Sequence, residues 1–138
     1  MIILDTNVLS ELMRREPDPA VLAWLDRQAP LSVWITTITL FECQFGLALL
    51  PAGRRRRALE TSFAALLAED LDKRVLAFDA DAAAEAAVLA AQRQLAGRPV
   101  DIRDTQIAGI AQARRATLAT RNLQHFEGLS VPVVNPWG

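Results

Sequence analysis

Cysteine and histidine are almost absent from this chain of 138 residues, which contains one of each. A lone Cys43 excludes a disulfide framework and a zinc site built from thiolates. A lone His125 gives little support to a metal site that uses several imidazoles. The chain also lacks the Gly-x-Gly-x-x-Gly and Gly-x-x-x-x-Gly-Lys-Ser/Thr loops that bind nucleotide phosphates. Carboxylates are therefore the main polar groups available for chemistry.

No uncharged apolar run is long enough to cross a bilayer, and no basic segment precedes the apolar residues at the N-terminus. Apolar residues make up 51% of the chain, which is typical of a folded globular protein. We therefore expect one cytoplasmic domain over residues 1–138, with its own hydrophobic core. Phe41 and Phe45, which flank Cys43 in the sequence, predict a buried and unreactive thiol.

The net charge of −1 argues against a protein that coats nucleic acid, but the basic residues are uneven in kind. Fourteen of the fifteen are arginine, whose guanidinium suits bidentate contacts with phosphate. Four of them form the run Arg54, Arg55, Arg56 and Arg57. A solvated helix face is the ordinary explanation of such a run, and phosphate binding is the alternative.

Short apolar runs alternate with amphipathic segments along the whole sequence. The runs at 2–5, 32–36, 74–78, 117–120 and 131–134 predict strands, and the longer segments between them predict helices. This alternation favours a parallel sheet of four to five strands between two layers of helices, which is an α/β/α sandwich.

Four side chains with oxygen donors follow the predicted strands or begin helices near them. They are Asp5 after the first strand, Glu42 just over one turn into the helix after the second, Asp104 at the start of a later helix, and Asn122 after the fourth strand. Ligands of parallel α/β sheets bind beyond the carboxyl ends of the strands. The four side chains are therefore expected to share one site.

Helix capping is the alternative explanation, because short polar side chains accept hydrogen bonds from unpaired backbone N–H groups. Asp5 is placed to cap the first helix. Thr39 and Glu42 have the spacing of a capping box, and Asp101 competes with Asp104 for the cap of the later helix. Capping explains each residue singly but not their common position.

Three carboxylates at one edge repel one another unless they are protonated or a cation neutralises them. Ligands that are all oxygen, without Cys or His, select a hard ion such as Mg²⁺ or Mn²⁺. Such an ion activates water and stabilises charge on a phosphodiester. The residue types therefore favour metal-dependent cleavage of phosphodiester bonds.

Four segments of the chain resemble the PIN-domain ribonucleases. They are residues 1–12, residues 36–46, the Asp-x-x-Ile-Ala-x-x-Ala pattern at 104–111, and Thr120-Arg121-Asn122. The similarity is greatest to the VapC toxins of bacterial toxin–antitoxin pairs, especially the FitB-like subgroup, which shares the ending Val134-Asn135-Pro136-Trp137. The resemblance covers essentially the whole chain in order.

The resemblance implies a Mg²⁺- or Mn²⁺-dependent endoribonuclease with a PIN-like α/β/α fold. It also implies a homodimer, or a larger assembly with a cognate antitoxin that silences the enzyme. Metal binding is implied for Asp5, Glu42 and Asp104, and Asn122 is implied as the fourth catalytic position.

Further residues are expected to support this site or its partners. Thr6 and Thr120 are the supporting hydroxyls that the resemblance implies, and Arg121 and the run at 54–57 are candidates for contact with RNA. Apolar faces around Trp24, Trp34 and the helix at 37–50 are candidates for contact with the antitoxin, with core packing as the alternative.

The chain departs from the family pattern at two positions. Many relatives carry Asp where this chain has the neutral Asn122, which weakens the prediction of a second metal site. Many also carry Asp where this chain has His125. We interpret His125 as a turn residue without a catalytic part, and contact with phosphate or the leaving group is the alternative.

Two other functions are compatible with the sequence. Asp5 after an N-terminal strand also suits an aspartyl-nucleophile phosphatase, although that chemistry places a second acid two residues on, where this chain has Asn7. A protein that binds RNA or an antitoxin without cleaving anything is the other alternative.

Overall fold

Five short parallel strands form the centre of the fold. They are β1 (Ile2–Leu4), β2 (Val33–Thr36), β3 (Val75–Leu76), β4 (Thr117–Ala119) and β5 (Val133–Val134). Their order in the sheet is β3-β2-β1-β4-β5, and every neighbouring pair is parallel. The structure, a computed structural model, describes all residues from 1 to 138. It confirms the α/β/α sandwich with a parallel sheet.

Six helices connect the strands. They are α1 (Thr6–Leu12), α2 (Pro19–Asp26), α3 (Thr37–Leu49), α4 (Arg54–Ala65), α5 (Ala80–Leu95) and α6 (Ile102–Arg114). Side chains of Asp5, Asp18, Thr36, Asp79 and Asp101 cap five of them by accepting backbone N–H groups. None of the helices has the length and apolar character needed to span a membrane.

The core lies in two clusters on opposite faces of the sheet. Ile3 belongs to the cluster packed against α5 and α6, and Leu4 belongs to the cluster that contains residues of α1, α2 and α4. This division follows from the strand geometry, in which successive side chains point to opposite faces. Because β1 is the central strand, both residues are buried, and the residue that follows them emerges at the middle of the sheet edge.

Several expected elements differ in extent from the sequence prediction, among them the last strand, which was expected at 131–134 and is limited to Val133–Val134. The strand predicted at 74–78 is limited to Val75–Leu76, and beyond it the backbone N–H of Phe78 donates to the hydroxyl of Thr37 at 3.2 Å. The segment 54–71, whose apolar spacing predicts one long helix, is α-helical to Ala65 and continues as a π-helical turn. The helix predicted from Asp104 begins two residues earlier, at Ile102.

Candidate active site

Asp5 lies at the carboxyl end of the central strand β1 and is 3% exposed. Its Oδ1 accepts the backbone N–H of Thr6 at 2.8 Å, so Asp5 does cap α1. Its Oδ2 accepts the hydroxyl of Thr120 at 2.7 Å and the side-chain amide of Asn7 at 3.3 Å. Capping therefore describes only one of the three hydrogen bonds that hold this carboxylate.

The pKa of Asp5 is raised from 3.8 to about 6. Burial is the largest cause, because it removes water from the ionised carboxylate. Hydrogen bonds from Thr120 and Thr6 lower the pKa in part, whereas the negative charges of Asp104 and Glu42 raise it. The three acids thus share one electrostatic environment, as the sequence led us to expect.

Glu42 is held by a neighbouring hydroxyl and does not cap its own helix. The cap of α3 is Thr36, whose hydroxyl accepts the backbone N–H of Thr39 at 3.1 Å. The capping-box alternative for Glu42 is therefore wrong. Instead, Oε1 of Glu42 accepts the hydroxyl of Thr6 at 2.8 Å, and its Oε2 lies 3.7 Å from the guanidinium of Arg103. The hydrogen bond between Thr6 and Glu42 joins the start of α1 to the second turn of α3.

Asp104 is free of capping duty because Asp101 caps α6, accepting the backbone N–H of Arg103 at 2.8 Å. The side chain of Asp104 is 20% exposed, and its Oδ2 lies 2.9 Å from Nδ1 of His125. His125 is on a short 3₁₀ turn, as the sequence indicated, but its contact with a site acid was not foreseen.

Asn122, the predicted fourth position, differs from the three acids in its exposure and contacts. Asn122 is exposed and its side chain makes no hydrogen bond, although its backbone N–H donates to the hydroxyl of Thr120 at 3.1 Å. Asn7, which the sequence analysis did not select, lies within the network. Its amide donates to Thr120 at 3.3 Å as well as to Asp5, and its Oδ1 accepts the backbone N–H of Arg121 at 3.3 Å. The position of Asn7, two residues after Asp5 in the sequence, is the one feature of the sequence that points to this contact.

The donor chemistry of the site fits Mg²⁺ or Mn²⁺. No three acidic, His or Cys side chains converge closely enough to hold one ion as they stand. Mg²⁺, however, is commonly bound through one or two carboxylates and keeps several waters. Asp5 and a neighbouring acid meet that requirement, and no basic side chain forms an ion pair with Asp5. A cation at Asp5 would offset the charge that burial and its neighbours disfavour.

A cleft of about 1130 Å³ opens beside Glu42 and is lined by residues of α1, of the segment that follows it, of α3 and of α4. Thr6 and Glu42 line it together with three arginines, Arg14, Arg15 and Arg55. Of the three site acids only Glu42 lines the cleft, and Glu16 lines it as well, so its wall carries both carboxylate and guanidinium groups. This arrangement suits a chain of phosphates that approaches an acidic site.

The arginine run at the start of α4 does not act as one surface. Arg55 faces the cleft, whereas Arg56 donates to Glu60 at 2.7 Å and to the carbonyl of Leu50 at 3.3 Å. Arg54 and Arg57 are exposed and lie outside the cleft lining. The solvated-face explanation therefore fits most of the run, and one member has the position expected of a phosphate contact.

Arg121 is placed by the C-terminal segment. Its guanidinium carbon lies 5.0 Å from the ring centroid of Trp137, a cation–π distance, and no carboxylate is paired with it. The backbone of Arg121 also donates to Asn7, which contacts Asp5. An exposed, unpaired guanidinium is thereby held next to the acid network.

Helix α3 carries an exposed apolar stripe formed by Phe41, Phe45 and Leu49, which are 56%, 50% and 69% exposed. The rings of the two phenylalanines stack with centroids 5.9 Å apart. The rings of Phe41 and Phe45 do not cover Cys43, contrary to the expectation from the sequence, because positions two residues away lie on the opposite face of the helix. Cys43 is nevertheless buried, and burial, reinforced by Glu42, raises its pKa to about 11.

The two tryptophans that were candidates for a partner surface pack against the core. Trp34 contacts the cluster on the α5 and α6 side, and Trp24 contacts the cluster on the α1 side. Core packing, the alternative explanation, is therefore correct for both. Among the apolar candidates, only the stripe on α3 faces solvent.

The fold and the acids at its carboxyl edge define a class, namely α/β/α proteins whose site is made of oxygen donors. Residues 2–129 match the family described as PIN domain. The chain is 42% identical over 137 residues to the VapC ribonuclease Y4jK of Sinorhizobium fredii, covering 99% of this chain and 98% of that protein. It is 35% identical over 137 residues to Toxin FitB of Neisseria gonorrhoeae, with 99% of each chain covered. The chain belongs to the PIN-domain family, which confirms the resemblance noted in its sequence.

The solved structures that resemble this fold include complexes. One of them is the structure of FitAB bound to an IR36 DNA fragment. The present chain superposes on a chain of that structure with a TM-score of 0.90 and 35% identity, and the match covers 100% of the present chain and 96% of the other. The architecture described above is therefore that of a chain in the FitAB structure.

Proposed function

We propose that this protein is a divalent-cation-dependent endoribonuclease that acts as the toxin of a toxin–antitoxin pair. The observation that carries the proposal is the buried Asp5 at the centre of the sheet edge, within the electrostatic reach of Glu42 and Asp104. The names of the relatives, a VapC ribonuclease and the toxin FitB, support the same reading.

Asp5 would hold Mg²⁺ or Mn²⁺ together with Glu42 or Asp104, since one or two carboxylates suffice for such an ion. When bound, such an ion supplies an activated water and stabilises charge on the phosphodiester. The chain itself orients the acids, because Thr120 and Asn7 hold Asp5 while Thr6 holds Glu42. Such outer contacts set the position of a ligand before it binds.

Substrate binding is assigned to the arginines and to the fourth position. Arg15 and Arg55 on the cleft wall provide contacts for RNA phosphates on the approach to Glu42, whereas Arg14 on the same wall is paired with Glu11 at 3.1 Å. Arg121 provides a further contact at the other side of Asn7. The exposed amide of Asn122 orients water or the substrate phosphate.

A cognate antitoxin is the protein partner in this proposal. Apolar side chains also line the cleft, namely those of Met13, Leu47, Leu50 and Leu59. A segment with apolar and charged side chains fits this lining and would exclude RNA from the acids. The exposed stripe on α3 provides apolar area for the homodimer or for the larger assembly with the antitoxin.

The test is cleavage of a labelled structured RNA by the purified protein with Mg²⁺, with Mn²⁺ or with EDTA. The proposal expects cutting that needs the metal, leaves a 5′-phosphate and is lost in Asp5→Asn. The matched control is Asp81→Asn, because Asp81 is exposed in the first turn of α5 and makes no hydrogen bond through its side chain. Circular dichroism of each variant separates loss of activity from loss of fold.

Two outcomes would replace the proposal. RNA binding without a product under every metal condition, and with the cognate target RNA, would favour a protein that only binds. A phosphoenzyme trapped on Asp5 would favour the aspartyl phosphatase, although the amide of Asn7 donates to Asp5 where that chemistry places an acid.

A further inference from the structure

His125 reaches the acid cluster from outside it. The 3₁₀ turn Leu123–Phe126 carries it, and its Nδ1 lies 2.9 Å from Oδ2 of Asp104. The imidazole is 49% exposed, so it covers the outer side of a carboxylate that is itself 20% exposed. The contact joins the turn that follows β4 to the first turn of α6.

Arg93 on α5 holds this turn in place. Its guanidinium donates to the backbone carbonyl of His125 at 2.9 Å and to the hydroxyl of Thr105 at 3.3 Å. Since Thr105 follows Asp104 directly, one guanidinium connects both partners of the imidazole–carboxylate contact. At the other end of the turn, Phe126 is 2% exposed and packs in the core. The position of His125 is therefore determined on both sides.

We propose that His125 is a positioning residue for Asp104, which it holds by donating Nδ1–H to Oδ2, so that Oδ1 is the oxygen available to a divalent cation. The inference rests on the proposed function and deepens it. A carboxylate whose outer oxygen is already engaged is a preoriented ligand with one free oxygen, and loss of such an outer contact weakens metal binding. An acid at position 125 would instead add negative charge beside Asp104.

The test measures Mn²⁺ affinity of the full chain by calorimetry or electron paramagnetic resonance. We expect His125→Ala to bind Mn²⁺ about 10-fold more weakly than the wild type, or worse. His125→Asn should restore most of the affinity, because its amide nitrogen stands close to where Nδ1 stood. His125→Gln, whose amide corresponds to Nε2, should not. Gln124→Ala, exposed on the same turn, is the matched control and should bind as the wild type does.

A second measurement needs no metal. His125 is the only histidine, so its ring nitrogens give unambiguous ¹⁵N signals. We expect Nδ1 to carry a proton in the wild type at a pH where free imidazole is neutral, and to lose it in Asp104→Ala, because the hydrogen bond sets the tautomer.

The two measurements separate the inference from the function on which it rests. Unchanged or tighter Mn²⁺ binding by His125→Ala, or an unprotonated Nδ1 in the wild type, would overturn the role of His125. Failure of the wild type to bind any Mn²⁺ would overturn the metal-dependent function. In that case the ¹⁵N signals would still decide whether His125 holds Asp104.

Discussion

The hydroxyl of Thr120 donates to Oδ2 of Asp5 at 2.7 Å, so the side chains that follow two adjacent parallel strands are bonded across the sheet edge. Thr120 is fully buried and Asp5 nearly so. The hydrogen bond stabilises the ionised carboxylate, but burial has the larger effect, and the pKa of Asp5 remains at about 6. At neutral pH Asp5 is therefore ionised in an environment that disfavours its charge, and a cation bound beside it would offset that cost.

Replacing Asp5 by Asn should remove a pH dependence of stability. Because burial raises the pKa of Asp5 from 3.8 to about 6, the folded state binds more protons than the unfolded state between these values. The wild type therefore loses stability relative to Asp5→Asn as the pH rises from about 4 to about 7, by about 2 kcal/mol. Urea unfolding of both proteins at the two pH values measures this change. A difference that is constant with pH would show that Asp5 titrates normally.

Mg²⁺ or Mn²⁺ should raise the melting temperature of the wild type. Binding to the folded state adds about 2.7 kcal/mol when the ion is present at about 100 times its Kd. The shift should be smaller below pH 6, because protons then compete for Asp5, whose pKa is about 6. Thermal unfolding with and without EDTA provides the measurement. An equal shift in Asp5→Asn would place the ion elsewhere on the protein.

Removing the Thr120 hydroxyl should destabilise the fold and raise the pKa of Asp5 further. Thr120→Val leaves Oδ2 of Asp5 with only the longer bond from Asn7, and a buried acceptor that loses a partner costs about 1–3 kcal/mol. Thr117→Val on the same strand is the control, because the Thr117 side chain makes no hydrogen bond. Chemical unfolding at neutral pH should separate the two variants. Equal stabilities would mean that the Thr120 bond contributes little.

Replacing Arg55 or its neighbour Arg56 by Ala should affect the affinity for RNA differently. Arg55 lines the cleft, so Arg55→Ala should weaken binding and lower the salt dependence by about one phosphate contact. Arg56 is engaged with Glu60, so Arg56→Ala should leave binding unchanged. Filter binding with Asp5→Asn as the background, at several salt concentrations, avoids cleavage during the measurement. Equal losses in both variants would favour a diffuse charge effect.

Gly109 should not tolerate a side chain. A Cβ there would lie 2.6 Å from the carbonyl oxygen of Ala82 and 2.7 Å from the Cβ of Ala86, so Gly109→Ala forces α5 and α6 apart. We expect a loss of about 1–3 kcal/mol in unfolding free energy. Gly46→Ala, on a helix position with open space, should gain up to about 1 kcal/mol. Destabilisation by both changes, or by neither, would contradict the close packing.

The sheet edge that gathers Asp5, Glu42 and Asp104 was predictable from the sequence. Parallel strands that alternate with helices place their carboxyl ends together, and the residues that follow them inherit that place. The sequence also offered Asp101 and Asp104 as alternative caps of α6. Asp101 caps this helix, so Asp104 is free to take part in the site. The contact of Thr6 with Glu42 was not foreseeable, because it depends on the angle between two helices.

Asn7 and His125 show the limit of pattern reading. Neither residue is an acid. Asn7 contacts Asp5 and His125 contacts Asp104, and the folded chain brings these partners together. The split of the arginine run has the same cause, since only the packing of α4 decides which guanidinium faces the cleft. The exposed phenylalanines of α3 were misjudged because apolar character alone does not tell which helix face is covered.

By itself the sequence determined the order of strands and helices, the oxygen-donor chemistry and the membership of the PIN-domain family. These depend on local periodicity and on residue types in a fixed order. The tertiary structure alone decided which hydroxyl holds which carboxylate, how far the pKa of Asp5 rises, and which arginine reaches the cleft. The physical reason is that a hydrogen bond between residues 115 positions apart, such as that of Thr120 to Asp5, depends on packing geometry at the scale of an ångström. Chain periodicity carries no information at that scale.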